Sequence, residues 1–296
     1  MFSNPEPMYW FDLEIAGVSM SVHSFQHWEE EMLFLPFVKR TEVPDYQVVF
    51  RQTDTLPKIP DAVIHEDECY RVHPDGKGGY LRSFFDAPRD LTPYAVAEYD
   101  HTNGTVQIDC LPKGSHCVSE LHNSFFHIGF EAMLIHKKRL CFHAACVDTP
   151  LGGILFSGPS GIGKSTQAEL WCSYRGAAQI NGDRPILSKE KAGWLAWGSP
   201  YAGSSKCHVN KNCRVTAIVI LQQANECSLQ RLRHTEAFGA IWAGLTIHNW
   251  DKWFVEEAVD LTMELIRTVP VFRFCCTPDE RAVEYLEQQL RKECCL

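Results

Sequence analysis

Over roughly the first hundred residues, apolar and polar positions alternate in short runs. Phe11-Asp-Leu-Glu-Ile-Ala16, Val18-Ser-Met-Ser-Val22 and Tyr46-Gln-Val-Val-Phe50 are the clearest, and Tyr70-Arg-Val72, Gly79–Phe85, Ala95–Tyr99 and Thr105–Cys110 continue the series. A period of two marks strands with one buried face. Gly17, the segment Glu42-Val-Pro-Asp45 and the pair Asn103-Gly104 punctuate the runs as turns. The pattern predicts an antiparallel β module. From Ser119 to His136 the period lengthens, with Leu121, Phe125, Ile128, Phe130, Met133 and Leu134 near helical spacing, so one long helix with a core-facing stripe is expected. Leu140-Cys-Phe-His-Ala-Ala-Cys-Val147 is nearly all apolar and predicts a buried strand. The turn Asp148–Gly153 leads into a second apolar run, Gly153-Ile-Leu-Phe156, and implies a hairpin. Further on, Val215–Leu221 and Val269–Phe274 read as strands, and segments near Glu236, from Val255 to Ile266 and from Pro278 to Lys292 as helices. Thr277 or Asp279 is the expected cap of the last helix.

This organisation predicts two parts: a β-rich N-terminal module over residues 1–117 and an α/β (α+β) domain over 118–296. The chain has 296 residues, 45% hydrophobic and 22% charged, which supplies enough apolar material for full cores. A net charge of −9 counts against nucleic acid as a partner, because phosphate backbones are held by clustered Lys and Arg. The thirteen cysteines are odd in number and include no C-x-x-C pair, and the first residues carry no secretory pattern. Reduced thiols are therefore expected, although Cys207 with Cys213 and the doublets Cys275-Cys276 and Cys294-Cys295 have metal-binding atoms. No apolar run has membrane-spanning length. A cytoplasmic protein without a membrane partner is the resulting expectation, and a homo-oligomer is compatible with it.

The chemistry concentrates in Gly158-Pro-Ser-Gly-Ile-Gly-Lys-Ser-Thr166, which satisfies the phosphate-loop pattern G-x-x-x-x-G-K-[ST]. Gly158, Pro159, Ser160, Gly161, Ile162 and Gly163 would wrap an anion in backbone N–H groups. Lys164 would reach the β- and γ-phosphates, and Ser165, followed by Thr166, would sit on Mg²⁺. A strand-like run precedes the loop and a helical pattern follows it, which aims the positive end of a helix at the same point. Downstream, Arg175–Leu187 reads as a strand carrying at its end Asp183, a metal-binding carboxylate candidate, flanked by Asn181 and Arg184, either of which would bind phosphate or simply finish the strand. The small-residue loop before Lys206 allows close approach of a ligand, or is a plain surface loop. His143 lies in the apolar strand, where a lone histidine is ordinarily a satisfied core residue.

Phe142-His-Ala-Ala-Cys-Val, then Gly153 to Ser165, then Arg175-Gly-(x)₅-Gly-Asp183 resemble the catalytic domain of the HPr kinase/phosphorylase family, in its divergent HPr-kinase-like branch. The resemblance covers approximately residues 138–292. It implies a fold similar to ATP-dependent phosphoenolpyruvate carboxykinase, with the phosphate loop on a mixed or largely antiparallel sheet. It also implies ATP and Mg²⁺, a catalytic role for His143 beside the attacking hydroxyl, and a peptide, protein or small-molecule hydroxyl as acceptor. Asp183 falls on the second member of the family's Asp pair and Gly182 on the first. The family's glycine-rich signature after that pair is not recognisable. The expected activity is thus an ATP-dependent kinase using His143, Lys164 and Asp183, with Ser165 and Asp183 on the metal. The alternative is a nucleotide-binding regulatory or scaffold protein with little turnover.

Overall fold

The computed structural model describes residues 9–28, 33–87, 90–118 and 121–294. The first residues of the chain, the predicted helix start at Ser119 and Cys295 lie outside them. By contacts the chain divides into two units, Met1–Met133 and Leu134–Leu296. Residues 118–133, expected with the second part, group with the first.

The first unit holds the eight-stranded sheet that the alternating runs build. Its strands are β1 (Tyr9–Ile15), β2 (Val18–Ser24), β3 (Tyr46–Gln52), β4 (His65–Glu66), β5 (Tyr70–Pro74), β6 (Tyr80–Phe84), β7 (Ala95–Asp100) and β8 (Thr105–Cys110). Their order is β1-β2-β3-β8-β7-β6-β5-β4. The antiparallel expectation needs correction: β3 runs parallel to both β2 and β8, so the sheet is mixed. Alternation reports that one face is buried, and parallel and antiparallel pairs share that property. The tight turn at Ala16-Gly17, with positive φ at both residues (53° and 71°), forces β1 and β2 into a hairpin, whereas the long segment after β2 is free to cross over.

The predicted single helix is in fact two, α1 (Leu121–Ile128) and α2 (Phe130–His136). Gly129 separates them at φ +69°, a left-handed conformation that stops the helical hydrogen-bond ladder, while apolar spacing continues across it.

In the second unit the strands are β9 (Arg139–Cys141), β10 (Ala144–Thr149), β11 (Gly152–Ser157), β12 (Ala178–Asn181), β13 (Ile186–Glu190), β14 (Gly193–Trp197), β15 (Asn212–Gln223), β16 (Ser228–Arg231) and β17 (Val271–Cys276). The helices are α3 (Lys164–Arg175), α4 (His234–Trp242), α5 (Lys252–Thr268) and α6 (Glu280–Glu293). β10 and β11 form the expected hairpin. β15 lies parallel to β11 and to β17, while the other pairings are antiparallel, so this sheet too is mixed. Asp279 caps α6 by accepting from Arg281 N, and Thr277 Oγ1 donates to the same carboxylate.

Two cores cover the sheet's faces. Leu155, Ile218 and Val271 pack with Ala237 and Ile241 of α4 and with Phe254 and Leu265 of α5. Phe156, Val219 and Phe272 pack with Ala168 and Trp171 of α3 and with Val283 and Leu286 of α6. Burying each such phenylalanine contributes about 1.5–3 kcal/mol. On β15 the faces swap partway. Cys213 and Val215 point into the first core, then Ala217, Val219 and Leu221 into the second. The register beside β11 steps by one residue at Thr216, a bulge that turns the rest of the strand over.

Candidate functional site

β11 ends at Ser157, and residues 158–163 then carry the chain to the first turn of α3. Gly158, Gly161 and Gly163 have φ of 143°, 76° and 109°, so the loop's shape rests on conformations that other L-residues avoid. At Gly161 and Gly163 an added Cβ would meet nothing within 4 Å; backbone conformation, not crowding, selects glycine there. Gly163 precedes α3 without a side-chain cap, and the first amides of a helix have no partner inside it. Those N–H groups and the helix dipole favour an anion at this point. Lys164 folds over the loop. Its Nζ donates to the carbonyls of Gly158 (3.1 Å) and Pro159 (3.2 Å), and the residue is buried. Ser165 is half-buried, while Ser160 and Thr166 are exposed.

His143 stands where the predicted continuous strand breaks. β9 pairs with β13, whereas β10 pairs with β11 and β12, so Phe142 and His143 span a switch between partners. The backbone there is well tied: Phe142 N donates to Pro185 O, His143 N to Gly244 O at 2.7 Å, and Ser157 Oγ to His143 O at 2.8 Å. The His143 side chain keeps 35% of its exposure, so it is not a core histidine. Its Nε2 lies 3.3 Å from Asp183 Oδ1.

Asp183 sits two residues beyond β12, not at the strand's end. Asn181 places it. That residue is fully buried, and its Oδ1 accepts from Asp183 N (2.9 Å) and Arg184 N (2.7 Å). Its Nδ2 donates to Ser199 O (3.1 Å) and Tyr201 O (3.2 Å). Asp183 O in turn accepts from Ala144 N. Asn181, a sequence candidate for phosphate contact, is therefore a clamp, and the Asn-Gly-Asp turn signal in the sequence is the trace of it. Arg184 reaches Thr246 Oγ1 at 2.7 Å and brings its Nε to 3.7 Å from Asp183 Oδ2.

Gly182 is closed to any side chain. A Cβ there would meet Ser205 Oγ at 1.7 Å, Ser205 Cβ at 2.6 Å and the carbonyl of Ala202 at 3.1 Å. Gly203 is pressed against the other side of the turn, where its Cβ would lie 2.7 Å from that of Asp183. The small-residue loop noted in the sequence thus packs on the Asp183 turn. Lys206 ends it, exposed and with φ +54°.

The electrostatics tie these groups together. Burial first, and then the positive charge of Lys164, hold the His143 imidazole below its ordinary pKa of 6.5, with Asp183 pulling the other way. Burial likewise lowers Lys164, again against Asp183. His143, Lys164 and Asp183 therefore feel one another, and a neutral imidazole is the favoured form at neutral pH.

The described cysteines are free, and the Sγ atoms of Cys146 and Cys213 approach only to 3.7 Å. Cys207 and Cys275 gather no metal-binding set among the described residues. No helix among them is long and apolar enough to cross a membrane.

No family model matches the chain, and no curated protein matches it. Among solved structures it is similar to the Hpr(Ser) kinase/phosphatase from Coxiella burnetii, with 14% identity and a TM-score of 0.33 over 52% of this chain and 97% of that one. That distant likeness leaves the function to be argued from the chain's own residues.

Proposed function

We propose that the second unit is an ATP-dependent kinase that transfers the γ-phosphoryl group to a hydroxyl. The observation that carries this reading is the meeting of His143, Lys164 and Asp183, three residues distant in sequence, beside a glycine-shaped loop at a helix N-terminus. In this reading the amides of residues 158–166 and Lys164 hold the phosphates, Lys164 exchanging its carbonyl partners for phosphate oxygens. Ser165 and Asp183 would hold Mg²⁺, and that ion would supply positive charge against the charge developing on the transferred group. With the imidazole proton on Nε2 facing Asp183, the Nδ1 lone pair is the base. It takes the acceptor's O–H proton as that oxygen bonds to the γ-phosphorus and the bond to the β-phosphate oxygen breaks. Asp183 then steadies the imidazolium. The acceptor is a serine of a peptide or protein, or a small metabolite.

Gly182 favours a second reading, a nucleotide-binding regulator with little turnover, because the resemblance would place an acid where Ser205 leaves no room. Turnover of ATP against serine peptides and small alcohols separates the two. In a kinase, His143→Gln lowers turnover on the order of 10²- to 10⁴-fold with ATP affinity nearly intact. Tight ATP binding with no consumption under any acceptor would overturn the kinase reading, and no ATP binding at all would overturn both.

A further inference from the structure

In the first unit the end of β6 and the turn after β8 bring three unlike donors together. Asp86 follows β6 by two residues. His116 and Cys117 lie in the 3-10 turn Pro112–Val118. His116 Nε2 is 3.4 Å from Asp86 Oδ1, Cys117 Sγ is 3.6 Å from the same oxygen, and Cys117 Sγ is 3.2 Å from His116 Nε2. We propose that Asp86, His116 and Cys117 form a zinc site with three protein ligands and an open fourth position.

The distances suit the ion. Zinc bonds of about 2.0–2.1 Å to nitrogen, 2.0–2.2 Å to oxygen and 2.3 Å to sulfur, set at tetrahedral angles, put the donor atoms about 3.3–3.6 Å apart. The triangle needs only tenths of an ångström of adjustment. A thiol proton and an imidazole proton can each serve one edge of this triangle. A divalent cation satisfies all three donors at once, and a nitrogen, sulfur and oxygen set selects zinc over magnesium or calcium.

The backbone holds the triangle in place. Phe85 N donates to Cys69 O, fixing the strand end that carries Asp86. Tyr94 N donates to Phe84 O and Leu111 N to Tyr94 O, so the stretch before the 3-10 turn is laced to β6 through Tyr94. Gly114 packs so closely on Tyr94 that a Cβ would lie 2.5 Å from it, which seats the turn. The His116 and Asp86 side chains are 62% and 60% exposed, which leaves an entry path and room for water as a fourth ligand. Bound zinc would staple the loop after β6 to the turn that precedes α1.

The test uses the full chain, stripped with a chelator and titrated with Co²⁺ as the spectroscopic probe and then with Zn²⁺. The expected result is one equivalent of Co²⁺ with a thiolate-to-cobalt charge-transfer band and the intense visible bands of a tetrahedral ion. Cys117→Ser should abolish the charge-transfer band. Asp86→Asn should weaken Zn²⁺ binding on the order of tenfold or more, since losing a ligand exceeds the usual cost of losing an outer partner. Cys207→Ser, a half-buried thiol of the other unit, should change neither. Thermal unfolding checks that each variant folds. No band in the wild type, or an unchanged band and affinity in folded Cys117→Ser and Asp86→Asn, overturns the proposal. So does equal loss in Cys207→Ser, which would mark nonspecific thiol binding.

Discussion

Asn181→Ala tests the clamp on which the candidate site stands. The neighbours dictate the amide's orientation, with two backbone N–H groups on one side and two carbonyls on the other. Truncation strands Asp183 N and Arg184 N without an acceptor and removes the donor shared by Ser199 O and Tyr201 O. A stranded buried group costs about 1–3 kcal/mol, and carbonyls find substitutes more readily than N–H groups. Counting the two N–H groups and allowing some relaxation, the expected loss is about 2–5 kcal/mol. At about 2–4 °C per kcal/mol for a unit of this size, the melting temperature should fall by about 4–20 °C. Asn181→Asp sharpens the test. Its carboxyl still accepts from both N–H groups but faces the two carbonyls without a proton to give. Burial raises that carboxyl's folded-state pKa above its unfolded value. Its deficit should therefore be small at acid pH and grow as pH rises through the carboxylate range, while that of Asn181→Ala stays flat. The assay is thermal unfolding of both variants from pH 4 to pH 7. A melting temperature within about 2 °C of the wild type for both at pH 7 would refute the clamp.

Other expectations follow from the same contacts. Gly182→Asp forces its Cβ into Ser205 and should cost about 1–3 kcal/mol by overpacking, with part recovered in the double variant carrying Ser205→Gly; equal stability of the single variant and wild type by denaturant titration would show that the 202–206 turn yields freely. Asp183→Asn should weaken nucleotide binding more with Mg²⁺ than without it, and equal losses by calorimetry would confine Asp183 to orienting His143. Because burial and Lys164 lower the His143 pKa, the acid limb of kcat/KM should lie below pH 6.5. Removing Asp183, which pulls the other way, should move that limb lower still. By linkage the neutral imidazole favours the folded chain, so its contribution to stability is complete above pH 6.5 and falls away as pH drops toward the lower folded-state pKa. An acid limb above 6.5 that His143→Gln leaves in place would assign it to another group.

The sequence by itself determined the local elements and the loop. Period-two and period-3.6 patterns depend only on which face is buried, and the phosphate-loop spacing is a local requirement for φ and charge. β1 to β3, the β10–β11 hairpin, α3 and α6 were legible for that reason. Only the tertiary structure decided how they are joined. Strand direction around β3 leaves no mark in an alternation, and Gly129 divides a helix whose apolar spacing runs on unbroken. The apolar run from Leu140 to Val147 hides a change of partner at Phe142 and His143. That change brings His143 to Asp183, because β9 and β10 pair with different strands. Asn181 read equally well as a ligand contact or a strand end until its four backbone partners, drawn from two loops, were in place. Asp86, His116 and Cys117 were invisible as a set, since their meeting depends on β6 and the turn after β8 being laced through Tyr94. A side chain's type is written in the sequence, whereas its neighbours are fixed by long-range pairing, and that pairing decides whether a polar group serves as clamp, base or ligand.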